Sequence, residues 1–133
     1  MTSLAAHATN TSGTGRLILS GAVLWALGVA LLRFAASSGW LDAPLPLAGF
    51  YALTIGFTWP LIPLVTRFAG LPRAAAVEAT ALVCATAVTL DGLVIGFAPW
   101  IYASDLARAK AVAGCLLWAI GVALVLGFAR RRA

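Results

Sequence analysis

Four long apolar runs occupy most of this 133-residue chain. Together they leave it little to fold into except a lipid bilayer. The runs are Leu17–Leu32, continuing to about Ser37; Leu47–Val65; about Ala74–Phe97; and Ala111–Ala129. Each is close to the ~20 residues that a helix needs to cross the hydrocarbon core. Backbone amides find no water partner in lipid, so each run must be helical. The expected fold is therefore all-α, a polytopic membrane protein built as a four-transmembrane-helix bundle. Its spans fall at about 17–37, 47–67, 75–97 and 111–129. With 62% of residues hydrophobic and 10% charged, no stretch remains for a soluble domain. Met1–Gly15 is small, polar and rich in Gly and Thr. It reads as a disordered tail ahead of one membrane domain, 16–133. A cleaved signal peptide is disfavoured, because Arg33 interrupts the first run just before the small residues that would be cut.

The charges orient the bundle. Four spans put both termini on one side, which carries Arg16, Arg67, Arg73, Arg130, Arg131 and Arg132. The other side has Arg33, Arg108 and Lys110, diluted by Asp42 and Asp105. The positive-inside rule places the N- and C-termini in the cytoplasm; the plasma (inner) membrane is the expected location. Trp40, Trp100 and Tyr102 fall in the two outer loops, as an interfacial aromatic belt does. Ser104 is placed to cap the fourth helix, and Asp105 and Arg108 are spaced to pair. Lipid is the expected partner, with anionic headgroups at Arg130, Arg131 and Arg132. A second copy of the chain is a further candidate partner. The scattered basic residues form no nucleic-acid patch.

One carboxylate stands deep inside a span, whereas Glu78 lies within a turn or so of the cytoplasmic start of the third span and reads as interfacial. Asp91 interrupts "AVTLDGLVIGF", where a lone charge costs at least ~2.5 kcal/mol. Counted outward along their helices, Asp91 and Arg33 both lie about 24 Å from the cytoplasmic edge. The sequence therefore predicts an Arg33–Asp91 ion pair, with snorkelling of Arg33 to the headgroups as the other reading. Tyr51, Thr54 and Thr58 share one face of the second helix and are candidates to join the same polar cluster. Pro60 and Pro63 should bend that helix and free carbonyls. Thr80, Cys84, Ala87 and Asp91 form one stripe on the third helix. Cys84 and Cys115 differ in depth by roughly 10 Å, too far for a disulfide. No residues have metal or cofactor spacing, and none is assigned to catalysis.

"SGAVLWALGVALL" in the first span echoes "AGCLLWAIGVALV" in the fourth. Gly21, Trp25 and Gly28 correspond to Gly114, Trp118 and Gly121. Glycine notches beside a tryptophan knob predict that these two helices pack as antiparallel neighbours.

Leu90-Asp91-Gly92-Leu93, Phe97, Pro99, Leu117-Trp118-Ala119 and Gly121-Val122 together resemble a family of small bacterial four-span membrane proteins that has no assigned activity. The resemblance implies a bacterial four-span fold and carries over no catalytic residue. The chain also has the size of small multidrug exporters, but those carry a glutamate in the first span, where this chain has only Arg33. Two function classes remain. One is a structural or accessory inner-membrane protein without enzymatic activity. The other is a small dimeric transporter or channel that uses a buried Asp91/Arg33 site.

Overall fold

The computed structural model describes residues 3–130. Among them are four α-helices: α1 (Ser3–Ser37), α2 (Pro44–Phe68), α3 (Ala76–Phe97) and α4 (Leu106–Arg130). All four are long and apolar enough to cross a membrane. The protein is thus an all-α, multi-pass membrane protein, with helix boundaries near those expected. Two differences have local causes. Helix α1 already begins at Ser3, so the stretch read as a tail continues the helix of the first span. Once the span has nucleated a helix, each added residue brings a hydrogen bond. Helix α4 begins at Leu106 because Asp105, not Ser104, caps it. The Arg108 backbone N–H donates to Asp105 Oδ1 at 2.9 Å.

The turns after α1 and α2 use one device. Gly39 (φ 76°) and Gly70 (φ 72°) adopt the left-handed conformation that glycine tolerates. Around Gly39, the Gly39 and Trp40 amides donate to the carbonyls of Ala36 (3.2 Å) and Ala35 (3.0 Å). Around Gly70, the Gly70 and Leu71 amides donate to those of Arg67 (2.9 Å) and Thr66 (3.0 Å). Both are Schellman endings, which satisfy carbonyls that a helix end would otherwise leave bare.

Helix α2 continues unbroken through Pro60 and Pro63. Pro63 has no N–H for the carbonyl four residues earlier, that of Trp59. Arg130 supplies the missing donor from α4: its Nη2 lies 2.8 Å from the Trp59 oxygen. The same guanidinium sits 4.1 Å from the centre of the Trp59 ring, a cation–π contact that fastens α4 to α2.

Helix packing differs from the expected order. Helix α1 packs chiefly on α3, α3 on α4, and α4 on α2, while α1 and α2 meet least. Among the glycines, the closest approach is at Gly21. A Cβ there would stand 2.8 Å from the Val83 carbonyl oxygen and 2.8 Å from Thr86 Cβ. A second close approach joins α4 to α3, where a Cβ on Gly127 would lie 3.2 Å from Thr80 Cβ. The expected α1–α4 seam is only partly formed. Gly28 lies close to Leu116, 3.3 Å from an added Cβ, but Gly114 and Gly121 have nothing within 4 Å of theirs. Trp118 instead turns to α2 and stacks on Tyr51, with ring centroids 5.0 Å apart and planes 12° from parallel. The shared phrase therefore does not make the two helices each other's main neighbours. A small residue helps packing only where a neighbour reaches it, and α3 reaches Gly21 first.

The outer surface is apolar. Leu19, Leu31, Phe34, Leu64, Phe97 and Phe128 are all exposed, the arrangement expected where lipid is the solvent.

Candidate functional site

Asp91 is 4% exposed on the inner face of α3. Two neutral donors converge on one of its oxygens. Trp25 of α1 donates from Nε1 to Oδ1 at 2.7 Å. Tyr102, from the turn after α3, donates its hydroxyl to the same Oδ1. The other oxygen, Oδ2, is buried and has no hydrogen-bond partner among the described residues. Tyr102 is itself 1% exposed. Burial, and then the Asp91 carboxyl group that it faces, push the Tyr102 phenol above its ordinary value, so it remains a protonated donor.

The expected Arg33–Asp91 ion pair is not formed. Arg33 is exposed, and its Nη1 donates to the carbonyls of Trp100 (2.9 Å) and Ile101 (2.7 Å). Equal counts from the span starts did not give equal levels, because α1 and α3 are offset along their axes, with Gly21 against Val83 and Thr86. The α1 residue that faces Asp91 is Trp25, about 12 Å deeper than Arg33 along the helix axis. Arg33 reaches outward to the short 3-10 turn Pro99–Ile101, whose carbonyls lack helical partners. Arg16 does the same at the opposite end, 3.4 Å from the Phe68 carbonyl oxygen in the last turn of α2. Among the described residues, only Arg108 pairs with carboxylates: Asp42 at 3.3 Å and Asp105 at 3.7 Å.

The α2 candidates divide. Tyr51 leaves the cluster for Trp118, whose indole Nε1 also donates to the Tyr51 carbonyl at 3.3 Å. Thr54 returns its hydroxyl to the Phe50 carbonyl of its own helix, 2.8 Å away, as threonines commonly do in apolar helices. Thr58 is buried. Thr54 and Thr58 both line a groove that also reaches Asp91.

That groove is the second part of the site. Its volume is about 650 Å³, and it lies where α1 and α2 pack least. Leu27 of α1 (62% exposed), with Leu53 and Phe57 of α2 (70% and 69%), form its lips. Its floor comes from small residues of α3 and α4, among them Cys84, Ala87, Ala119 and Ala123. The polar stripe of α3 (Thr80, Cys84, Ala87, Asp91) runs along this floor. Cys84 and Cys115 are free thiols in the same lining. Asp91 is the one carboxyl group among the described lining residues, and no described Arg, Lys or His joins it there.

Tyr102 was missed as a site residue, because its place in an outer loop reads as an interfacial aromatic. The faint signal is Pro99 straight after the helix, which forces a turn that can fold the following residues back. Arg131 and Arg132, expected at anionic lipid, lie outside the described residues. Arg130, expected there too, is engaged with Trp59.

The chain matches no family model, no curated protein and no solved structure. The four long apolar helices stand without an identified family, and the groove with its buried carboxyl group must speak for itself.

Proposed function

We propose that this protein binds a lipid-soluble guest inside the membrane, as an accessory or carrier component without a catalytic role. The guest enters sideways between α1 and α2 and rests on α3 and α4. One observation carries this reading: an apolar groove of about 650 Å³ opens on the least-packed side of the bundle, within the range of small-molecule sites. The arginine asymmetry supports cytoplasmic termini, and the bacterial resemblance supports an inner-membrane home.

A bilayer-dissolved diazirine reagent tests the reading. Activated in vesicles, it should label the floor residues Ala87, Ala119 and Ala123 as well as the outward-facing side chains. Labelling confined to the outer faces would show that the groove admits nothing, and would end the proposal.

The Trp25–Asp91–Tyr102 cluster favours a second, structural reading. It joins α1, α3 and the α3–α4 turn through one carboxyl group, and so fixes the rotation of two helices. The two roles are compatible, since the clamp uses Oδ1 and leaves Oδ2 unpaired.

A further inference from the structure

We infer that the guest is a protonated amine on an apolar body, and that Asp91 Oδ2 accepts its N–H. This rests on the reading of the groove as a binding site. Two observations and one general rule lead to it. Asp91 forms part of the groove wall, yet is 4% exposed. Its Oδ1 already takes both protein donors, while Oδ2 takes none. Buried polar atoms in folded proteins are nearly always paired, so an orphaned carboxyl oxygen on a ligand-sized groove calls for a donor. An ammonium supplies that donor together with the opposite charge, and a charge-assisted hydrogen bond of this kind is stronger than a neutral one.

The rest of the groove sets the body of the guest. The walls are Leu, Phe and Ile side chains, with threonines such as Thr54 turned back to their own helix. They accept alkyl or aryl groups and offer little to further polar groups. With no basic residue among the described lining residues, a phosphate carried beside the ammonium would be left unpaired next to Asp91. This favours a simple lipophilic amine over a zwitterionic phospholipid.

The test uses the full chain in phosphatidylcholine nanodiscs, with tritiated 4-phenylbutylamine as probe and 4-phenylbutanol as its neutral counterpart. Saturable amine binding is expected, with the alcohol competing at least about tenfold more weakly. Asp91→Asn should weaken amine binding by about tenfold or more while leaving diazirine labelling of the floor intact. Equal competition by the alcohol would overturn the assignment. So would amine binding undiminished in Asp91→Asn, or displacement by phosphatidylethanolamine as effective as by the amine itself. The comparison of amine with alcohol needs no variant, so it decides even if Asp91→Asn does not fold. Loss of amine selectivity with the floor still labelled would sink this inference alone. Absence of floor labelling in the native chain would sink the groove reading beneath it.

Discussion

The two sides of this bundle are built by opposite rules. Where α1 meets α3, Gly21 lets the backbones approach so closely that a single added carbon would strike a carbonyl oxygen. Trp25 and Tyr102 then lock the upper part of the seam through Asp91. Where α1 faces α2, large side chains stand exposed on both lips and a groove remains between them. Both sides are apolar, so hydrophobicity does not distinguish them. In lipid, burying an apolar side chain against another gains little over leaving it in acyl chains. Close packing and hydrogen bonds decide which helices adhere. The α1–α3 side has its closest small-residue contact and a buried polar tie in mid-bundle; among the described residues, the α1–α2 side has only contacts at one end, Gly13 near Ala69 and the exposed Arg16 on the Phe68 carbonyl.

The sharpest way to break this contrast is to fill the closest approach. Gly21→Leu should cost about 3 kcal/mol through overpacking, read as loss of helical signal at lower denaturing-detergent fractions. Gly121→Leu, at a position with open space, should change stability by no more than about 0.5 kcal/mol. Equal effects at the two glycines would erase the distinction between dense and open faces. Next in size is the polar tie. Trp25→Phe and Tyr102→Phe each remove one donor from Asp91 Oδ1, and each should cost about 1–3 kcal/mol in the same unfolding measurement. A neutral result for both would mean that the cluster does not hold α1 on α3.

Smaller effects sharpen the comparison at the ends of the bundle. Arg130→Gln removes the guanidinium from the Trp59 ring and from the carbonyl freed by Pro63. It should cost about 1–2 kcal/mol, with increased amide exchange near Trp59. The smallest change belongs to Arg108→Ala. Its pairs with Asp42 and Asp105 are half-exposed, so about 0.5 kcal/mol or less is expected, and added salt should diminish even that.

Parts of this architecture were legible residue by residue. The spans followed from hydropathy, because the need to satisfy every backbone amide in lipid leaves only helices. Asp91 stood out because a carboxyl group in an apolar run is costly wherever the helix turns. The pairing of Asp105 with Arg108 was local, set by helical spacing, and the structure has it. The partner of Asp91 was not legible. Counting residues gives depth, but a contact also requires rotation, and rotation is set by which faces pack. Counting from the span starts put Arg33 level with Asp91, but the packed helices set Trp25, about 12 Å deeper, opposite it, so both level and direction were missed. The glycine phrase failed for the same reason: Gly21 found a partner on α3, while Gly114 and Gly121 found none. Gly127, which meets Thr80, carried no signal beyond being small.

By itself, then, the sequence determined the solvent, the number of long apolar helices, and the one deeply embedded polar position that demands compensation. These are properties of single segments and of the medium. Only the tertiary structure decided that α3 rather than α4 takes the glycine face of α1, and that an indole and a phenol rather than a guanidinium meet Asp91. It also left an acceptor unpaired beside an apolar groove. Those outcomes depend on how four similar helices rotate against one another. That balance is settled by close contacts of ångström precision, which no one-dimensional pattern encodes.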